Sequence, residues 1–347
     1  MEKSLKEIFL DHKQKKSDKW SLYIDEWDRI FSAYRYQPIN IFEIGIQNGG
    51  SLEIWAKYFP NAKNIVGCDI DEKCKDLVFN DSRITVFVGD ANADDIQKRI
   101  TECAPKFDII IDDGSHRSSD VIRSFSRYFQ YLKYEGIFVI EDIHASYWQN
   151  FEGGLFDPRS SMAFLKSLTD LLNHEHWRNN QSRAEFLSEF GKEYDVNFSE
   201  ADLCDIHSIE FLNSLSIIKK CKPDKNVLGN RIVVGQDEIV TRELEQVNGS
   251  SIHDMTFQIK DDSDLCTWNL IRKAQYFEQE NAALKREIGE KDRVHELEQK
   301  RLREVNSQLE KIVDSTNNEI AEYYNSISWK ITRPFRWIEK KLRGKNV

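Results

Sequence analysis

Two apolar runs in this sequence end in groups that could do chemistry. Phe107-Asp108-Ile109-Ile110-Ile111 leads into Asp112-Asp113-Gly114-Ser115-His116, and Gly136-Ile137-Phe138-Val139-Ile140 leads into Glu141-Asp142. If the runs are adjacent strands, four carboxylates meet at their ends. Like-charge repulsion forbids that unless a cation lies among them or protons are shared. A divalent site with oxygen ligands, Mg2+ by preference, is therefore expected, with two unrelated helix caps as the alternative. His116 follows closely on the Asp pair. An imidazole at a strand end can take a proton at neutral pH, although a lone histidine also serves as a core or capping residue.

Earlier in the chain, Glu43-Ile44 runs into Gly45-Ile46-Gln47-Asn48-Gly49-Gly50-Ser51, a glycine-rich turn after an apolar run. Such a turn lets backbone pass close to a ligand, or lets a helix pack closely on a strand. Gln47 occupies the second glycine position of a dinucleotide fingerprint, so that reading is excluded. An acid followed by Gly-x-x-x-Gly resembles motif I of class I S-adenosylmethionine (SAM) methyltransferases. Asp69, ending Gly67-Cys68-Asp69, stands where a ribose diol could donate two hydrogen bonds. Asp90, ending Gly89-Asp90, stands where that family places an acid or amide near the adenine. Either aspartate could instead cap a helix.

The elements that must position these groups are legible as short β-rich runs: Asn40–Ile44, Asn64–Asp69, Ile84–Val88, Phe107–Ile111, Ile137–Ile140, Ile206–Phe211 and Leu215–Lys219. Continuous apolar runs suit strands covered on both faces, and helical patterns lie between them. This predicts an α/β fold, a Rossmann-like doubly wound sheet, over residues 1–235. The last two strands form an antiparallel hairpin at its edge.

The chain has 347 residues, 40% hydrophobic and 31% charged, with a net charge of −10. That balance argues against nucleic-acid binding. No run approaches the roughly 18 apolar residues of a membrane span, and the N-terminus has no apolar signal core. Six cysteines lack metal-type spacing and read as reduced thiols, so a cytoplasmic protein is expected.

Residues 236–265 read as a polar linker. Residues 266–324 carry a seven-residue register, with Ala274, Asn281, Ile288, Leu302 and Leu309 on one line and Leu270, Phe277, Leu284, Val305 and Ile312 on the other. This predicts a C-terminal coiled-coil helix that makes a homo-oligomer, a single charged helix folded on the body being the alternative. The last segment, 325–347, is basic and amphipathic. From Trp329 to Val347 it carries +6, so the other 328 residues carry −16. Ile331, Phe335, Ile338 and Leu342 follow helical spacing, and Pro334 suits the first turn of a short helix. Two partners fit equally: the inner-membrane surface, through Trp329 and Trp337, or a glycosyltransferase.

Taken in order, EIGIQNGGS, GCDID, VGDAN, FDIIIDDGSH and VIEDIHASYW resemble the SAM- and metal-dependent sugar O-methyltransferases of the mycinamicin and demethylmacrocin type. The resemblance covers roughly residues 15–220 and includes Ser17-Asp18-Lys19. It implies Asp113, Glu141 and Asp142 as metal ligands and His116 as general base. It also implies a SAM site at Glu43, Gly45, Asn48, Gly49, Ser51, Asp69, Asp90 and Asp112. Trp20–Trp27 departs from the pattern, because the expected histidine-containing stretch is missing there. His144 is a further acceptor contact or a surface residue. The tail Ser328-Trp329-Lys330-Ile331-Thr332-Arg333-Pro334-Phe335-Arg336 resembles tails of bacterial polysaccharide-synthesis enzymes.

These readings lead to the expectation of a SAM- and Mg2+-dependent O-methyltransferase acting on a saccharide acceptor, a surface polysaccharide of O-antigen type. The alternatives are an enzyme that methylates a glycosylated natural product and a catalytically inactive scaffold for polysaccharide synthesis.

Overall fold

The computed structural model describes residues 3–177, 179–254 and 263–343. Residues 1–273 and 274–347 form two compact units. The first is built on one seven-stranded sheet: β1 (Asn40–Ile44), β2 (Asn64–Asp69), β3 (Ile84–Val88), β4 (Phe107–Asp112), β5 (Leu132–Ile140), β6 (Ile206–Leu212) and β7 (Leu215–Lys220). The strand order is β3-β2-β1-β4-β5-β7-β6. β1 to β5 are parallel, and β7 runs antiparallel between β5 and β6.

All seven expected strands are present. β5 is the one with a displaced start: it begins at Leu132 rather than Ile137. Glu135 there has φ +65, and the pairing with β4 shifts register between Phe107 and Ile109. A bulge of this kind lets a polar stretch join a ladder that apolar patterning alone would not extend to it.

Side chains two apart on a strand share a face, and the core divides accordingly. Ile41, Ile109, Ile111, Ile137 and Val139 face one layer with Trp27, Phe31 and Trp55. That layer holds α1 (Leu5–Leu10), α2 (Ser21–Phe31) and α3 (Gly50–Tyr58). Phe42, Ile110, Phe138 and Ile140 face the other, with Ile100, Phe125 and Leu165. Its main helices are α4 (Asp94–Cys103), α5 (Ser118–Tyr128) and α6 (Ser161–Leu171), followed by the short α7 (Arg183–Phe186), α8 (Ser188–Tyr194) and α9 (Glu200–Cys204). Burial on both faces is why the central strands read as continuous apolar runs.

Residues 236–254 of the expected linker hold two single-turn 3-10 segments, Leu244–Val247 and Ile252–Asp254; residues 255–262 lie outside the described ones. α10 spans Ser263–Asn325, 63 residues, about 95 Å long at 1.5 Å per residue. Phe277, Leu284, Ile288, Leu302, Leu309 and Ile312 of the seven-residue register are all exposed on it. The side chain of Leu270 lies outside the described residues.

α11 spans Ile327–Arg343 with Pro334 inside it, which corrects the expectation that this proline starts a helix. The helix begins seven residues earlier, at Ile327, and proline removes one backbone donor in its interior. Ile331, Phe335 and Ile338 lie on one exposed stripe, and the side chains of Trp329 and Leu342 lie outside the described residues. No described helix is long and apolar enough to cross a membrane.

Candidate active site

The strand register brings the candidate residues together. Ile44 pairs with Asp112, and Asp112 pairs with Ile140, so Gly45, Asp113 and Glu141 stand side by side just past the sheet's carboxyl edge. β1 and β4 are neighbours that depart in opposite directions, the topological switch point where open α/β sheets bind ligands. Gly45 has φ +82, and any Cβ there would overlap the Asp113 carbonyl. Only glycine permits this approach of the two strand ends.

The turn after β1 is braced from within. Asp69 Oδ2 accepts hydrogen bonds from the amides of Ile46 at 2.9 Å and Gln47 at 2.8 Å, and Oδ1 accepts one from Asp71 at 2.9 Å. A carboxylate offers about four lone pairs. One acceptor position is left, on Oδ1, where the sequence led us to expect two for a diol. Glu43 and Ser51 lie beneath the turn, buried, and Glu43 accepts from the Trp55 indole at 2.9 Å. They support the turn from below. Asn48 is exposed at its crest, and Gly49, at φ +74, precedes the first residue of α3. Asp90 is exposed, its carboxylate accepting from the Asn92 amide at 2.8 Å.

The carboxylates at the strand ends do not all converge. Asp112 is buried toward α5, where it accepts from the Ser124 hydroxyl, and burial pushes its carboxyl up to about 7. Asp113 and Glu141 meet a cation that the chain itself supplies. Lys19 Nζ lies against Asp113 Oδ2, 2.8 Å from Glu141 Oε2 and 3.6 Å from Glu43 Oε1. Burial opposes the ammonium charge, but Glu141, Asp113 and Glu43 outweigh it and hold Lys19 well above the ordinary lysine range. Burial likewise pushes the Glu141, Asp113 and Glu43 carboxyls up. Part of the counter-charge that these carboxylates require is therefore Lys19, besides any metal ion.

The remaining polar groups surround Asp142, whose backbone has φ +52. Its Oδ1 accepts from the Trp20 indole at 2.9 Å and the Tyr23 hydroxyl at 2.8 Å. Its Oδ2 lies 3.7 Å from His116 Nε2. Asp113, His116 and Asp142 each bring one ligand atom within 4.8 Å of the others, the arrangement that could hold an ion. Glu141 is outside this trio, held by Lys19. Its other oxygen, Oε1, is buried and accepts no hydrogen bond among the described residues, while Glu43 Oε1 has only the longer contact to Lys19. A buried carboxylate oxygen left bare is costly unless something arrives to meet it. An oxygen-rich donor set of this kind suits Mg2+.

Sequence reasoning assigned no role to Lys19, Trp20 or Tyr23. The signal for Lys19 was present: a cluster of acids needs positive charge, and Ser17-Asp18-Lys19 was already a recognisable segment. Trp20 and Tyr23 fall where the histidine-containing stretch is missing. His144 lies beside Asp142 with Nδ1 against the Ser214 hydroxyl, a contact made by the tight turn between β6 and β7.

A sheet of this order, with a glycine turn after β1 and an antiparallel strand inserted beside β5, defines the class I methyltransferase Rossmann-like fold. Among known proteins, no family model matches the chain. It is 35% identical over 173 residues to mycinamicin VI 2''-O-methyltransferase of Micromonospora griseorubida, covering 47% of this chain and 42% of that one. It is 33% identical over 177 residues to 8-demethyl-8-alpha-L-rhamnosyl tetracenomycin-C 2'-O-methyltransferase of Streptomyces olivaceus, covering 48% and 46%. Among solved structures, it resembles the MycE methyltransferase from the mycinamycin biosynthetic pathway in complex with Mg and SAH, S-adenosylhomocysteine. The TM-score is 0.54 at 27% identity, covering 74% of this chain and 61% of that one. The chain spans about half the length of the curated relatives it matches.

Proposed function

We propose that the chain transfers the methyl group of SAM to a sugar hydroxyl, with Mg2+ held by Asp113, Asp142 and Glu141, the last through Oε1, the oxygen that Lys19 does not hold. The observation that carries this reading is the placement of the glycine turn of β1 directly beside Asp113, His116 and Asp142 at the switch point. Gly45, Asn48, Gly49, Asp69, Asp90 and Asp112 would receive the cofactor, with Glu43 and Ser51 bracing the turn. When bound, Mg2+ would lower the pKa of an acceptor hydroxyl and fix its oxygen. His116 Nε2 accepts the hydroxyl proton, and Asp142 Oδ2, 3.7 Å away, stabilises the imidazolium that forms. The buried walls of the cluster keep Asp113 in place through Lys19.

The acceptor favoured by the relatives is a glycosylated small molecule, the runner-up of the sequence reading; a surface polysaccharide of O-antigen type has no support among them. Incubation with SAM, Mg2+ and a panel of glycosides should add one methyl group, read by mass. EDTA should abolish the gain and Mg2+ should restore it. Asp113→Asn should lose turnover while still binding SAM, because the glycine turn is intact. Full activity in EDTA would remove the metal from the reading.

A small acceptor leaves the C-terminal unit without a task. We assign α10 to homo-oligomer formation through its exposed seven-residue seam, and α11 to placing the enzyme on an anionic membrane surface or a glycosyltransferase. Ile331 and Phe335, 64% and 73% exposed, lie opposite Arg333, Arg336 and Lys340 on the helix. Deleting 329–347 should leave the oligomer and the methylation of a soluble glycoside intact and abolish co-sedimentation with anionic vesicles. Loss of soluble activity would instead place the tail in the catalytic fold.

A further inference from the structure

Five aromatic rings form an arc around Asp142. Trp20 meets His144 edge-on at 6.1 Å between centroids, His144 meets Trp148 at 4.9 Å, Trp148 meets Phe151 at 6.0 Å, and Phe151 lies 6.5 Å from His116. Both ends return to the same carboxylate: Trp20 bonds Asp142 Oδ1, and His116 faces Asp142 Oδ2. The two indoles are unusually open, Trp20 at 60% and Trp148 at 52% exposure. Large aromatic side chains are normally well buried in a folded domain. Here two are held out beside the polar centre, and Trp20 is fixed by its indole N–H.

We propose that Trp20 and Trp148 are the walls of an acceptor subsite that receives the apolar face of a sugar ring. The proposal rests on the methyl-transfer reading and adds to it the surface that holds the acceptor. A pyranose is two-sided in chemistry, with faces of C–H bonds and a rim of hydroxyls. An indole face carries negative charge density that attracts polarised C–H groups, and it removes apolar area from water. The hydroxyl rim needs polar partners, and His116 lies among the rings to meet it, beside Asp142. The Trp20 indole is fixed by Asp142 and so loses little freedom on binding.

The probe is p-nitrophenyl α-L-rhamnopyranoside, chosen because one relative is named for a rhamnosyl acceptor. The 347-residue chain carrying Mg2+ and S-adenosylhomocysteine is titrated with it by saturation-transfer NMR. Binding of S-adenosylhomocysteine, the nucleoside product of methyl transfer, is measured separately by calorimetry. Wild type should bind the probe, Trp148→Ala should lose at least about tenfold in affinity, and Trp148→Phe should stay within about threefold. Trp20→Phe, which keeps a ring but not the Asp142 hydrogen bond, should fall between them. In turnover assays the Trp148→Ala loss should fall on KM for the glycoside. Equal probe affinity in wild type and Trp148→Ala overturns the subsite, as does a wild type that binds the nucleoside product but not the sugar. Probe binding that depends on Trp148 in a protein with no affinity for the nucleoside product would keep the subsite and sink the methyl-transfer reading.

Discussion

Lys19→Met should destabilise the unit of residues 1–273 by about 3–5 kcal/mol, the usual cost of leaving a buried charge without its partner. The ammonium is almost wholly buried and touches three carboxylates, Asp113, Glu141 and Glu43. Methionine keeps most of the volume and removes the charge. Glu141 and Glu43 are themselves 1% and 0% exposed, so water cannot replace the lost contact without opening the strand ends. The measurement is urea unfolding in EDTA, where no divalent ion supplies charge. Lys19→Met combined with Glu141→Gln should recover part of the loss, because the second change removes one of the stranded charges. A single mutant within about 1 kcal/mol of wild type would mean that the carboxylates share protons instead, and that Lys19 is incidental to the cluster.

That cluster also shows where reading the sequence stopped short. Strands were visible because burial on both faces writes itself as runs such as Phe107–Ile111, and turn residues bound them. The switch point followed from alternation of strands and helical patterns. The strand ends fall where the apolar runs end, and Asp113, His116 and Asp142 converge there, without Glu141. What periodicity could not give is direction. Asp112 and Asp113 are adjacent, yet one turns to Ser124 and the other to Lys19. Glu141 and Asp142 divide in the same way, one toward Lys19 and the other toward Trp20 and Tyr23. Lys19 lies 94 residues before Asp113, and no local rule links them. The helix with Pro334 inside shows the opposite error, a local rule applied where an amphipathic pattern carries through the proline.

His116 has two possible duties, and one mutant separates them. Its Nε2 can accept a proton from the acceptor, or it can be a further ligand beside Asp113 and Asp142, since the ligand atoms of these three residues lie within 4.8 Å of one another. A nitrogen bound to a metal has no lone pair left for a proton, so the duties exclude each other. Its backbone, at φ +58, turns the ring back toward Asp142 across the end of β4. Hard Mg2+ prefers oxygen over imidazole, which favours the base. His116→Gln should then lower kcat by roughly 10²–10⁴-fold, the usual weight of general acid–base catalysis. Affinity for Mn2+, read by electron paramagnetic resonance as a stand-in for Mg2+, should stay within about threefold, as should affinity for SAM. If Mn2+ affinity falls together with turnover, His116 belongs to the metal shell, and the proton must leave by another group. If neither falls, the histidine is a structural cap of the turn after β4 and the proposed proton transfer is wrong.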